Sequence, residues 1–546
     1  MSARRRVVVL GASGVFGARL CERLAREPAW TLVLAARRAE PLEALRRRLA
    51  PEARAELEVA ALDRRDAAGL ATLRAWAVVD ASGPFQGADY AVALNALAAG
   101  AHYVDLADAR AFVASFGAAV DGTARATGVA AVTGASSSPA LAHAALDELT
   151  EGWRRIDRVS CAILPGARAP RGPAVMAAAL SWTGHPVRVF EGGCWRTRAG
   201  WSGLRRPPVP DLGRRWLSLA ETADLDLMVE RYRPTQAARF EAGLELWPLH
   251  LGLWSLGWMG RLGVPLVALG PMLRAGARLF DGMGGDRGGL LAEAEGVDGQ
   301  GRPARARFTL IAEAGDGPSV PTLPAAAVLR RLAAGAWPEG ASVCAGRLSV
   351  ADILVEADGL AISTRLDRVR PAEPALFPSV LGDGFDALPP AVRAVHAAPG
   401  AFEGRATARG SSGLAAGIRR VQGLPPPGRG PCGVAIERTA RGERWTRTFT
   451  GGRFASVLNA EPGGYGFEEH FGPLTFVFEI ERAPAGFRWR AVGWRLGPIG
   501  LPLALAPRIR ARVSERNGRY RFSVAVAHPL LGLIFAYAGR LARTSP

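Results

Sequence analysis

The chain has 546 residues, of which 49% are hydrophobic, and its formal net charge at pH 7 is +18. This length and composition predict about three domains with their own cores and exclude an intrinsically disordered chain. The sequence contains no lysine, which excludes three chemistries that need an ammonium group: a Schiff base, a P-loop and a Tyr-x-x-x-Lys proton relay.

A strand that runs into a glycine-rich turn begins the chain. Residues 7–17 (VVVLGASGVFG) connect an apolar run to an amphipathic helix. Gly11 permits the sharp turn, Gly14 lets backbone N–H groups approach a pyrophosphate, and Gly17 lets the helix pack against the strand. The helix N-terminus adds partial positive charge. The cofactor-binding residues predicted in this turn are Gly11, Ser13, Gly14, Val15, Phe16 and Gly17.

The end of the second strand indicates which nucleotide binds. This strand covers residues 30–36, and Arg37 and Arg38 follow it, at the place where an NAD-preferring site usually has an acidic residue for the ribose 2′-hydroxyl. Two guanidinium groups favour a 2′-phosphate, so they predict NADP, with NAD as the less favoured cofactor. The alternative is that both arginines only solvate the start of the next helix.

Two further strands end in residues that complete the predicted cofactor site. A third strand over residues 57–62 precedes Asp63, which we expect to meet the adenine. A fourth strand over residues 75–80 leads into a turn of small residues, which we expect under the nicotinamide ribose at the carboxyl edge of the sheet. The turn residues assigned to the cofactor are Ser82, Gly83 and Pro84.

Four segments resemble motifs of the saccharopine-dehydrogenase-like reductase family. They are residues 78–86 (VVDASGPFQ), 101–106 (AHYVDL), 282–290 (GMGGDRGGL) and 315–321 (GDGPSVP). The resemblance covers residues 1–370 and implies a Rossmann-type NAD(P)-binding domain with a mixed α/β domain that covers the nicotinamide. It leaves the substrate open, because the family is similar both to amino-acid dehydrogenases and to reductases of lipid-like acyl chains.

The candidate catalytic residues follow the fifth predicted strand. Tyr103 and Asp105 lie at its carboxyl end, where a doubly wound sheet places its ligands, and either side chain is a candidate for proton transfer. A purely structural role is the alternative for both. Further candidates are His102, Ser136, Ser137, Ser138, Asp286 and Arg287. Two roles stay open for the three serines, binding of a substrate carbonyl and capping of the next helix.

Residues 246–273 form an almost wholly apolar stretch that Arg261 divides. Each half is shorter than the ~20 apolar residues that a membrane-spanning helix needs. We predict helices buried in a domain core or at a dimer interface. Three alternatives stay open: the stretch lines a pocket for an acyl chain, it lies on a bilayer surface, or it spans the bilayer.

Short β-type runs separated by glycine and proline predict a third domain over residues 371–546. Apolar and polar residues alternate through these runs, which indicates antiparallel strands with one apolar face. The dipeptide Asn517-Gly518 predicts a tight hairpin turn. This part resembles an uncharacterised domain that follows saccharopine-dehydrogenase-like regions in some bacterial proteins, a resemblance that implies no function.

Arginine is concentrated in this last part, where 23 arginines stand against 12 acidic residues. A solvated outer sheet face is the plain interpretation. The alternative is attraction to anionic lipid head groups, with the apolar run at residues 529–537 beside them. We expect no nucleic-acid partner, since no recognition module is visible. Peripheral membrane contact and a homodimer are two further hypotheses.

The five cysteines are scattered, without a Cys-x-x-Cys pair. They predict free thiols in a reducing compartment and no metal site. Only four apolar residues stand between the arginines at positions 4–6 and Gly11, whereas a signal peptide has an apolar core of about 7 to 15 residues. We therefore expect a cytoplasmic protein, and a membrane-peripheral location is left open.

Together these features predict an α/β chain of three domains. Residues 1–150 form a Rossmann doubly wound parallel sheet, residues 151–370 a mixed α/β substrate and dimerisation domain, and residues 371–546 an antiparallel β-rich domain. The predicted function is an NADP-dependent oxidoreductase that reduces a small hydrophobic substrate, acyl or polyketide-like. The alternative is a non-catalytic NADP-binding sensor or scaffold whose last domain binds a lipid or a partner.

Overall fold

The computed structural model describes residues 4–170, 172–264, 266–280, 282–369, 375–421, 423–439, 442–460, 466–529 and 531–543. The chain divides into two compact units. The first unit contains Met1–Gly299 and Ala306–Arg368, and the second contains Gln300–Arg305 and Val369–Pro546. The boundary predicted at residue 150 falls inside the first unit and stays a prediction.

Strands and helices alternate at the start of the first unit. Parallel strands that helices cover on both sides are apolar throughout, and Val7, Val8 and Val9 are accordingly fully buried. The elements are β1 Arg5–Leu10, α1 Val15–Leu24, β2 Trp30–Ala36, α2 Ala39–Leu49, β3 Glu56–Ala61, α3 Ala67–Thr72, β4 Ala77–Asp80, α4 Ala91–Ala98, β5 His102–Asp105, α5 Arg110–Ala126, β6 Ala130–Thr133, a π-helical turn at Ser137–Leu141 and α6 Ala142–Thr150.

The six strands form one parallel sheet in the order β3-β2-β1-β4-β5-β6. This is the strand order of a doubly wound dinucleotide-binding fold, so the predicted Rossmann sheet is confirmed. Such a sheet binds its ligand at the carboxyl edge, where the strand order reverses. Here the reversal lies between β1 and β4, directly at the glycine turn.

The rest of the first unit contributes a second, mixed sheet. Its elements are β7 Arg155–Leu164, α7 Pro173–Trp182, β8 Pro186–Glu191, β9 Cys194–Ala199, β10 Pro208–Val209, β11 Gly213–Arg214, β12 Ser218–Leu219, α8 Asp224–Tyr232, β13 Ala237–Ala242, α9 Trp247–Arg261, α10 Gly270–Ala277, β14 Gly288–Val297, β15 Pro303–Ala312, α11 Leu323–Ala333, β16 Gly340–Val343, α12 Val350–Leu354 and β17 Ile362–Val369. Four 3₁₀ helices join them, at Leu266–Leu269, Arg278–Phe280, Gly317–Thr322 and Val355–Ala357.

The mixed sheet has the order β17-β15-β14-β7-β13-β8-β9, and β12 pairs with β13. Strands β7 and β13 are parallel, whereas β14 is antiparallel to β7. The predicted mixed α/β class is therefore confirmed. Strand β16 leaves this region and joins the first sheet as a seventh parallel strand beside β6, an addition that the sequence did not predict because its partner strand lies far away in the chain.

The apolar stretch at residues 246–273 forms α9, a 3₁₀ turn and α10. In α9 the buried residues are His250, Gly257 and Gly260. Several large side chains of the stretch are exposed: Trp247 (62%), Trp258 (54%), Leu262 (84%) and Met272 (62%). The prediction of burial in a domain core is wrong for these side chains, and the predicted dimer interface stays a prediction. No described helix has the length and apolar character that crossing a membrane requires.

Small residues explain which side of α9 is buried. A Cβ on Gly184 would lie 2.3 Å from the carbonyl oxygen of Gly257, and a Cβ on Gly260 would lie 2.5 Å from the carbonyl oxygen of Thr183. The helix therefore packs through a face of glycines at backbone-to-backbone distance. The exposed large side chains, such as Trp247 and Trp258, lie on another face, which the periodicity of an almost wholly apolar sequence does not reveal.

Antiparallel strands close into a barrel in the second unit. The elements are α13 Leu376–Leu381, α14 Pro390–His396, β18 Gly400–Arg409, α15 Leu414–Val421, β19 Gly428–Thr439, β20 Gly442–Phe449, β21 Gly452–Ala460, β22 Gly466–Phe471, β23 Leu474–Ala483, β24 Gly486–Leu496, β25 Ile499–Gly500, β26 Arg508–Arg516, β27 Arg519–His528 and β28 Gly532–Arg543, with 3₁₀ helices at Gly382–Gly384 and Leu503–Leu505.

The barrel has ten strands in the order β23-β22-β21-β20-β19-β18-β28-β27-β26-β24, and β23 pairs again with β24 to close it. This confirms the predicted antiparallel β-rich class. Asn517 and Gly518 connect β26 to β27 with φ of 53° and 67°, as the hairpin prediction requires. In the run at residues 529–537, of which residue 530 lies outside the described residues, Phe535 and Tyr537 are 2% and 9% exposed, so these two rings lie in the barrel core. Contact of this run with lipid stays a prediction.

Candidate functional site

The glycine turn between β1 and α1 is built on backbone contacts that exclude larger residues. Gly11 has a φ of 76°, and a Cβ there would lie 2.8 Å from the Cα of Ser82. A Cβ on Gly17 would lie 2.1 Å from the carbonyl oxygen of Gly11. The turn is therefore packed tightly against α1 on one side and against the turn after β4 on the other, as predicted for a dinucleotide site.

The first turn of α1 presents free backbone amides. The helix begins at Val15, its N-cap Gly14 makes no side-chain cap and its first turn contains no acidic residue. The first N–H groups of a helix have no acceptor within the helix. Ser13 and Gly14 are exposed, and Val15 and Phe16 are half-buried. This arrangement fits a pyrophosphate, which would neutralise the donors and the helix dipole together.

Two guanidinium groups lie beyond the end of β2. Arg37 and Arg38 are exposed, and neither forms an ion pair with a described residue. The Leu62 amide donates to the Ala36 carbonyl oxygen at 3.0 Å, so the end of β3 lies beside them. Asp63 is exposed, and its Oδ1 accepts a hydrogen bond from the Arg65 amide at 2.9 Å. Its contact with adenine stays a prediction.

The turn after β4 is held by an arginine that the sequence did not single out. Arg64 donates from Nη1 to the Ser82 carbonyl oxygen at 2.9 Å and to Ser82 Oγ at 3.0 Å. The Ser82 amide donates to Asp80 Oδ1 at 2.9 Å. Burial raises the pKa of Asp80, against the hydrogen bonds from Ser82 and the charge of Arg64. These contacts fix the turn that continues into Gly83 and Pro84.

Tyr103 and Asp105 have different surroundings although both belong to β5. The Tyr103 ring is 1% exposed and stacks on Phe116 at a centroid distance of 6.1 Å, inside the core between the sheet and α5. Burial raises its pKa well above the ordinary value. A tyrosine in this position contributes packing, and its role in proton transfer stays a prediction.

Asp105 is a fully buried carboxyl at the carboxyl end of β5. Its Oδ1 accepts from the amides of Ala107 and Gly134 at 3.0 and 2.9 Å and from Thr133 Oγ1 at 2.9 Å. Its Oδ2 has no hydrogen-bond partner among the described residues. Burial raises the pKa of Asp105 to about 7, against these hydrogen bonds. A carboxyl group with this pKa is suited to proton exchange near neutral pH.

A half-buried acid, Asp108, lies three residues beyond Asp105 at the same sheet edge. Its Oδ1 accepts from Gln86 Nε2 at 3.3 Å, which links the loop after β5 to the loop after β4. Burial raises the pKa of Asp108. The sequence did not single out Asp108 or Gln86 as functional residues. Their positions just after predicted strand ends were the available signal.

The serines after β6 belong to a buried polar cluster. The Ser138 hydroxyl donates to the Asp224 carboxylate, and Thr222 Oγ1 donates to Asp224 Oδ2 at 3.0 Å. His143 Nε2 lies 3.6 Å from Asp224 Oδ1. Burial raises the pKa of Asp224 to about 6 and lowers that of His143 to about 3, so His143 is neutral. Nothing in the sequence indicated that α8 would bring an acid to Ser138.

Ser136 and Ser137 are also buried, at 8% and 6% exposure. Neither hydroxyl caps a helix, since the N-cap at Ser136 makes no side-chain hydrogen bond. His102 accepts at Nδ1 from the Ala130 amide at 3.0 Å, and burial lowers its pKa. It therefore braces two strands of the sheet as a neutral ring.

Two of the family-like motifs meet on the helix of the glycine turn. Asp286 Oδ2 accepts from the Gly315 amide at 3.1 Å, and Arg19 of α1 donates to the Gly315 carbonyl oxygen at 3.3 Å. Arg287 pairs with Glu313 at 2.9 Å. Asp286 and Arg287 thus hold loops against the cofactor helix, and a contact with substrate stays a prediction for both.

The described residues contain no group of three or more histidine, cysteine, aspartate or glutamate side chains that could hold a metal ion. The turn, the free amides and the two arginines fit NADP, and the acids Asp105 and Asp108 lie at the same sheet edge.

Comparison with known families gives two matches. Residues 7–148 match the saccharopine dehydrogenase NADP binding domain, and residues 388–541 match a domain of unknown function (DUF4166). The comparison with curated proteins finds no match.

Two dehydrogenases are among the solved structures that resemble this chain. Saccharopine dehydrogenase (L-Glu forming) from Saccharomyces cerevisiae is 12% identical with a TM-score of 0.48, and the match covers 66% of this chain and 100% of that one. The DAP dehydrogenase of C. glutamicum is 13% identical with a TM-score of 0.36, and the match covers 65% of this chain and 99% of that one.

The family match and the geometry of the turn agree on the cofactor. Residues 7–148 contain β1 from Val7 onward and the strands β2 to β6, together with the free amides of α1 and the arginine pair. A dinucleotide-binding domain of this family serves hydride transfer. The chain is thus an NAD(P)-dependent oxidoreductase in which residues 7–148 match a saccharopine dehydrogenase NADP binding domain and residues 388–541 match a DUF4166 domain.

Proposed function

We propose that this oxidoreductase uses NADPH to reduce a small hydrophobic substrate, acyl or polyketide-like in character. The observation that carries the proposal is the exposed apolar face of α9 and α10, defined here by Trp247, Trp258, Leu262 and Met272. These side chains are between 54% and 84% exposed. A soluble domain rarely exposes such a group of large apolar side chains without a use for it.

Helix α7 connects this apolar face to the cofactor turn. A Cβ on Gly172, just before α7, would lie 3.7 Å from Val15 Cγ2 in the glycine turn. At the other end, Leu180 of α7 packs near Gly270, the first residue of α10. A hydrophobic molecule bound along α7 and α10 would therefore extend toward the glycine turn, where the pyrophosphate of the cofactor is expected.

Ser13, Val15 and Phe16 would bind the pyrophosphate of the cofactor through their backbone amides. Arg37 and Arg38 would bind its 2′-phosphate through their guanidinium groups. Bound NADPH supplies the hydride. The protein has to orient the acceptor, exclude water and provide a proton. Ser82 would support the cofactor, because Arg64 and Asp80 fix its position.

Asp105 is the group that we propose to hold the transferred proton. Its pKa of about 7 suits proton exchange at neutral pH, and Oδ2 is free of hydrogen bonds from described residues. Asp108, half-buried and linked to Gln86, would pass the proton toward solvent. The Asp105→Asn variant should lose the dependence of kcat on a group that titrates near pH 7 while it keeps NADPH binding. Loss of NADPH binding would assign Asp105 to the architecture instead.

The proposed substrate class is tested with a homologous series. NADPH oxidation is followed at 340 nm with 3-oxoacyl thioesters and with methyl ketones of increasing chain length, each below its micelle concentration and without lipid. We expect kcat/KM to rise about two- to fourfold per methylene group until the apolar face is filled. Equal kcat/KM for short and long chains in both series would contradict a hydrophobic substrate.

A matched pair of variants locates the effect. Leu262→Ser removes an apolar side chain that is 84% exposed on the proposed face, and Leu414→Ser removes one that is 77% exposed in the second unit. We expect only Leu262→Ser to flatten the dependence on chain length. The same flattening in Leu414→Ser would show that general surface hydrophobicity, and not the α9–α10 face, selects long chains.

A further inference from the structure

The connections between neighbouring strands of the barrel lie at its two opposite ends. From β18 to β28 each strand of the barrel is antiparallel to the next one along the chain, and β25 is a short addition to β24. Successive connections therefore alternate between the ends. The end that carries α15, called the α15 end here, has the connections β18 to β19, β20 to β21, β22 to β23, β24 to β26 and β27 to β28.

The large apolar side chains that are exposed in the second unit are concentrated at the α15 end. Among the described residues of this unit there are six, with exposures from 37% to 77%, and all six lie at this end. We call them the apolar rim: Leu414, Ile418, Leu496, Ile499, Leu503 and Leu505. Single apolar side chains scattered over a surface are ordinary, whereas their concentration in one place marks an interaction site.

Helix α15 turns its apolar side away from the barrel. Ala415 and Arg419 are 2% and 8% exposed, and Arg419 donates from Nη1 to the Ile534 carbonyl oxygen of β28 at 3.2 Å. Leu414 and Ile418, which are one helical turn apart, lie on the outer side. A surface helix usually does the reverse and packs its apolar stripe on the core. The two outer side chains are therefore available to a partner.

Hydrogen bonds fix the connection between β24 and β26 with its leucines outward. Trp494 donates from Nε1 to the Pro502 carbonyl oxygen at 2.9 Å, and the Leu501 amide donates to the Trp494 carbonyl oxygen at 3.1 Å. Leu503 and Leu505, which follow directly, are 51% and 58% exposed. Their exposure is thus a property of a hydrogen-bonded loop.

Positive charge accompanies the apolar rim, and negative charge does not. The five connections and the strand ends beside them, residues 409–429, 449–453, 471–474, 496–508 and 528–532, contain six arginines and no aspartate or glutamate. Arg419 is the one that anchors α15. The other five are exposed and form no ion pair with a described residue: Arg409, Arg420, Arg429, Arg453 and Arg508.

Exposed leucines and isoleucines among arginines, without acids, match the interface of an anionic membrane. Apolar side chains gain free energy by entering the boundary between head groups and acyl chains. Anionic lipids attract arginines close to the surface. Nucleic acid would satisfy the arginines but would leave the apolar rim in water. The bilayer surface is therefore the partner that accounts for both features.

From these observations we propose that the α15 end of the DUF4166 domain docks on the surface of an anionic phospholipid bilayer. The apolar rim enters the boundary between head groups and acyl chains, and the five exposed arginines contact lipid phosphates. The proposal goes beyond the reaction of the first unit and does not depend on it, because docking requires neither cofactor nor substrate.

Flotation with vesicles of defined composition tests the proposal on the full-length protein without NADPH. Vesicles of phosphatidylcholine alone are compared with vesicles that also contain about 30 mol% phosphatidylserine. We expect at least tenfold tighter binding to the anionic vesicles. This binding should weaken at least fivefold when NaCl rises from about 0.1 to 0.5 M. No binding to the anionic vesicles, or equal affinity for both compositions, would overturn the proposal.

Removal of leucines tests the apolar rim. Leu503→Ser/Leu505→Ser should bind anionic vesicles at least tenfold more weakly, because two leucine side chains no longer enter the bilayer. The matched control is Leu262→Ser/Leu279→Ser, which removes two leucines that are 84% and 80% exposed in the first unit. We expect the control to bind like the wild type. Equal losses in the two proteins, or no loss in Leu503→Ser/Leu505→Ser, would contradict docking through the α15 end.

Charge reversal tests the arginines. Arg420→Glu/Arg508→Glu changes two exposed arginines of the α15 end, and Arg516→Glu/Arg519→Glu changes two exposed arginines at the opposite end. We expect only the first pair to lower the affinity for anionic vesicles, at least tenfold. Equal losses would assign binding to the net charge of the protein and overturn the proposal. A loss in Arg420→Glu/Arg508→Glu with none in Leu503→Ser/Leu505→Ser would also overturn it, because charge alone, as in nucleic-acid binding, would then hold the partner.

Discussion

Individual glycines decide whether the cofactor turn can form. Gly17→Ala would place a Cβ 2.1 Å from the Gly11 carbonyl oxygen, and because both atoms belong to the backbone core of the turn, no side-chain movement relieves the contact. We expect NADPH affinity to fall at least tenfold and the melting temperature of the first unit to drop. Fluorescence titration and calorimetry measure the two effects.

The matched control is Gly117→Ala on α5. A Cβ at Gly117 meets nothing within 4 Å, and alanine is a better helix former than glycine by about 1 kcal/mol. This variant should bind NADPH normally and be equally or more stable. A Gly17→Ala protein that behaves like Gly117→Ala would show that the turn is looser than its geometry indicates.

The buried carboxyl of Asp105 predicts a particular dependence of stability on pH. Its pKa is raised to about 7 in the folded chain by burial, whereas an aspartate in an unfolded chain titrates near pH ~3.9. Between these values the folded state binds the extra proton, so the free energy of unfolding falls as pH rises from about 4 to 7 and is level above pH 7.

Asp105→Asn should remove this component, because the amide keeps an acceptor oxygen for the Gly134 and Ala107 amides without an ionisable proton. We expect the free energy of unfolding of the wild type to decrease relative to that of the variant over this pH window, by on the order of 3 kcal/mol. Urea unfolding at several pH values measures the difference. A constant difference between the two proteins from pH 4 to 7 would contradict the raised pKa.

At the residue scale, the sequence predicts what depends on local chemistry. The glycines are predicted from their position just after β1, and the arginine pair from its position just after β2. The family match supports the NADP site that they indicated. Arg64, Asp108 and Asp224 were missed because their partners lie on other segments. The bond between Ser138 and Asp224, for example, joins residues 86 positions apart.

Helix α9 shows how an element is oriented by its smallest residues. Gly260→Ala would place a Cβ 2.5 Å from the Thr183 carbonyl oxygen, whereas a Cβ at Gly252 on the same helix meets nothing within 4 Å. We expect Gly260→Ala to lower the free energy of unfolding of the first unit by about 1 to 3 kcal/mol through overpacking. Gly252→Ala should be neutral or stabilising. Chemical denaturation distinguishes them, and equal effects would mean that α9 does not pack through its glycine face.

Helix α9 also shows what a hydrophobic pattern does not predict about a helix. In residues 246–273 almost every side is apolar, so hydrophobic periodicity predicts helices but not which side is buried. Helix α7, by contrast, begins at Pro173, and a proline in the first turn of a helix is a local signal for where the helix starts.

For the whole molecule, the sequence predicts the three structural classes in their order along the chain. A parallel sheet, a mixed sheet and an antiparallel sheet follow from strand and helix alternation. Barrel closure through β23 and β24 and the return of β16 to the first sheet are long-range pairings. These pairings depend on which distant strand has a complementary edge, and the sequence of one strand does not specify its partner.

The most direct test of an NADP-dependent oxidoreductase is a fluorescence titration of the full-length protein with NADPH and NADH. Wild type should bind NADPH at least tenfold more tightly than NADH, because Arg37 and Arg38 are exposed cations without an ion pair to a described residue, at the position proposed for the 2′-phosphate. Arg37→Ala should remove most of that preference, and Arg54→Ala, which removes another exposed arginine of the same unit, should leave it intact. Equal affinity for the two nucleotides, or a preference that Arg37→Ala does not change, would contradict the assignment.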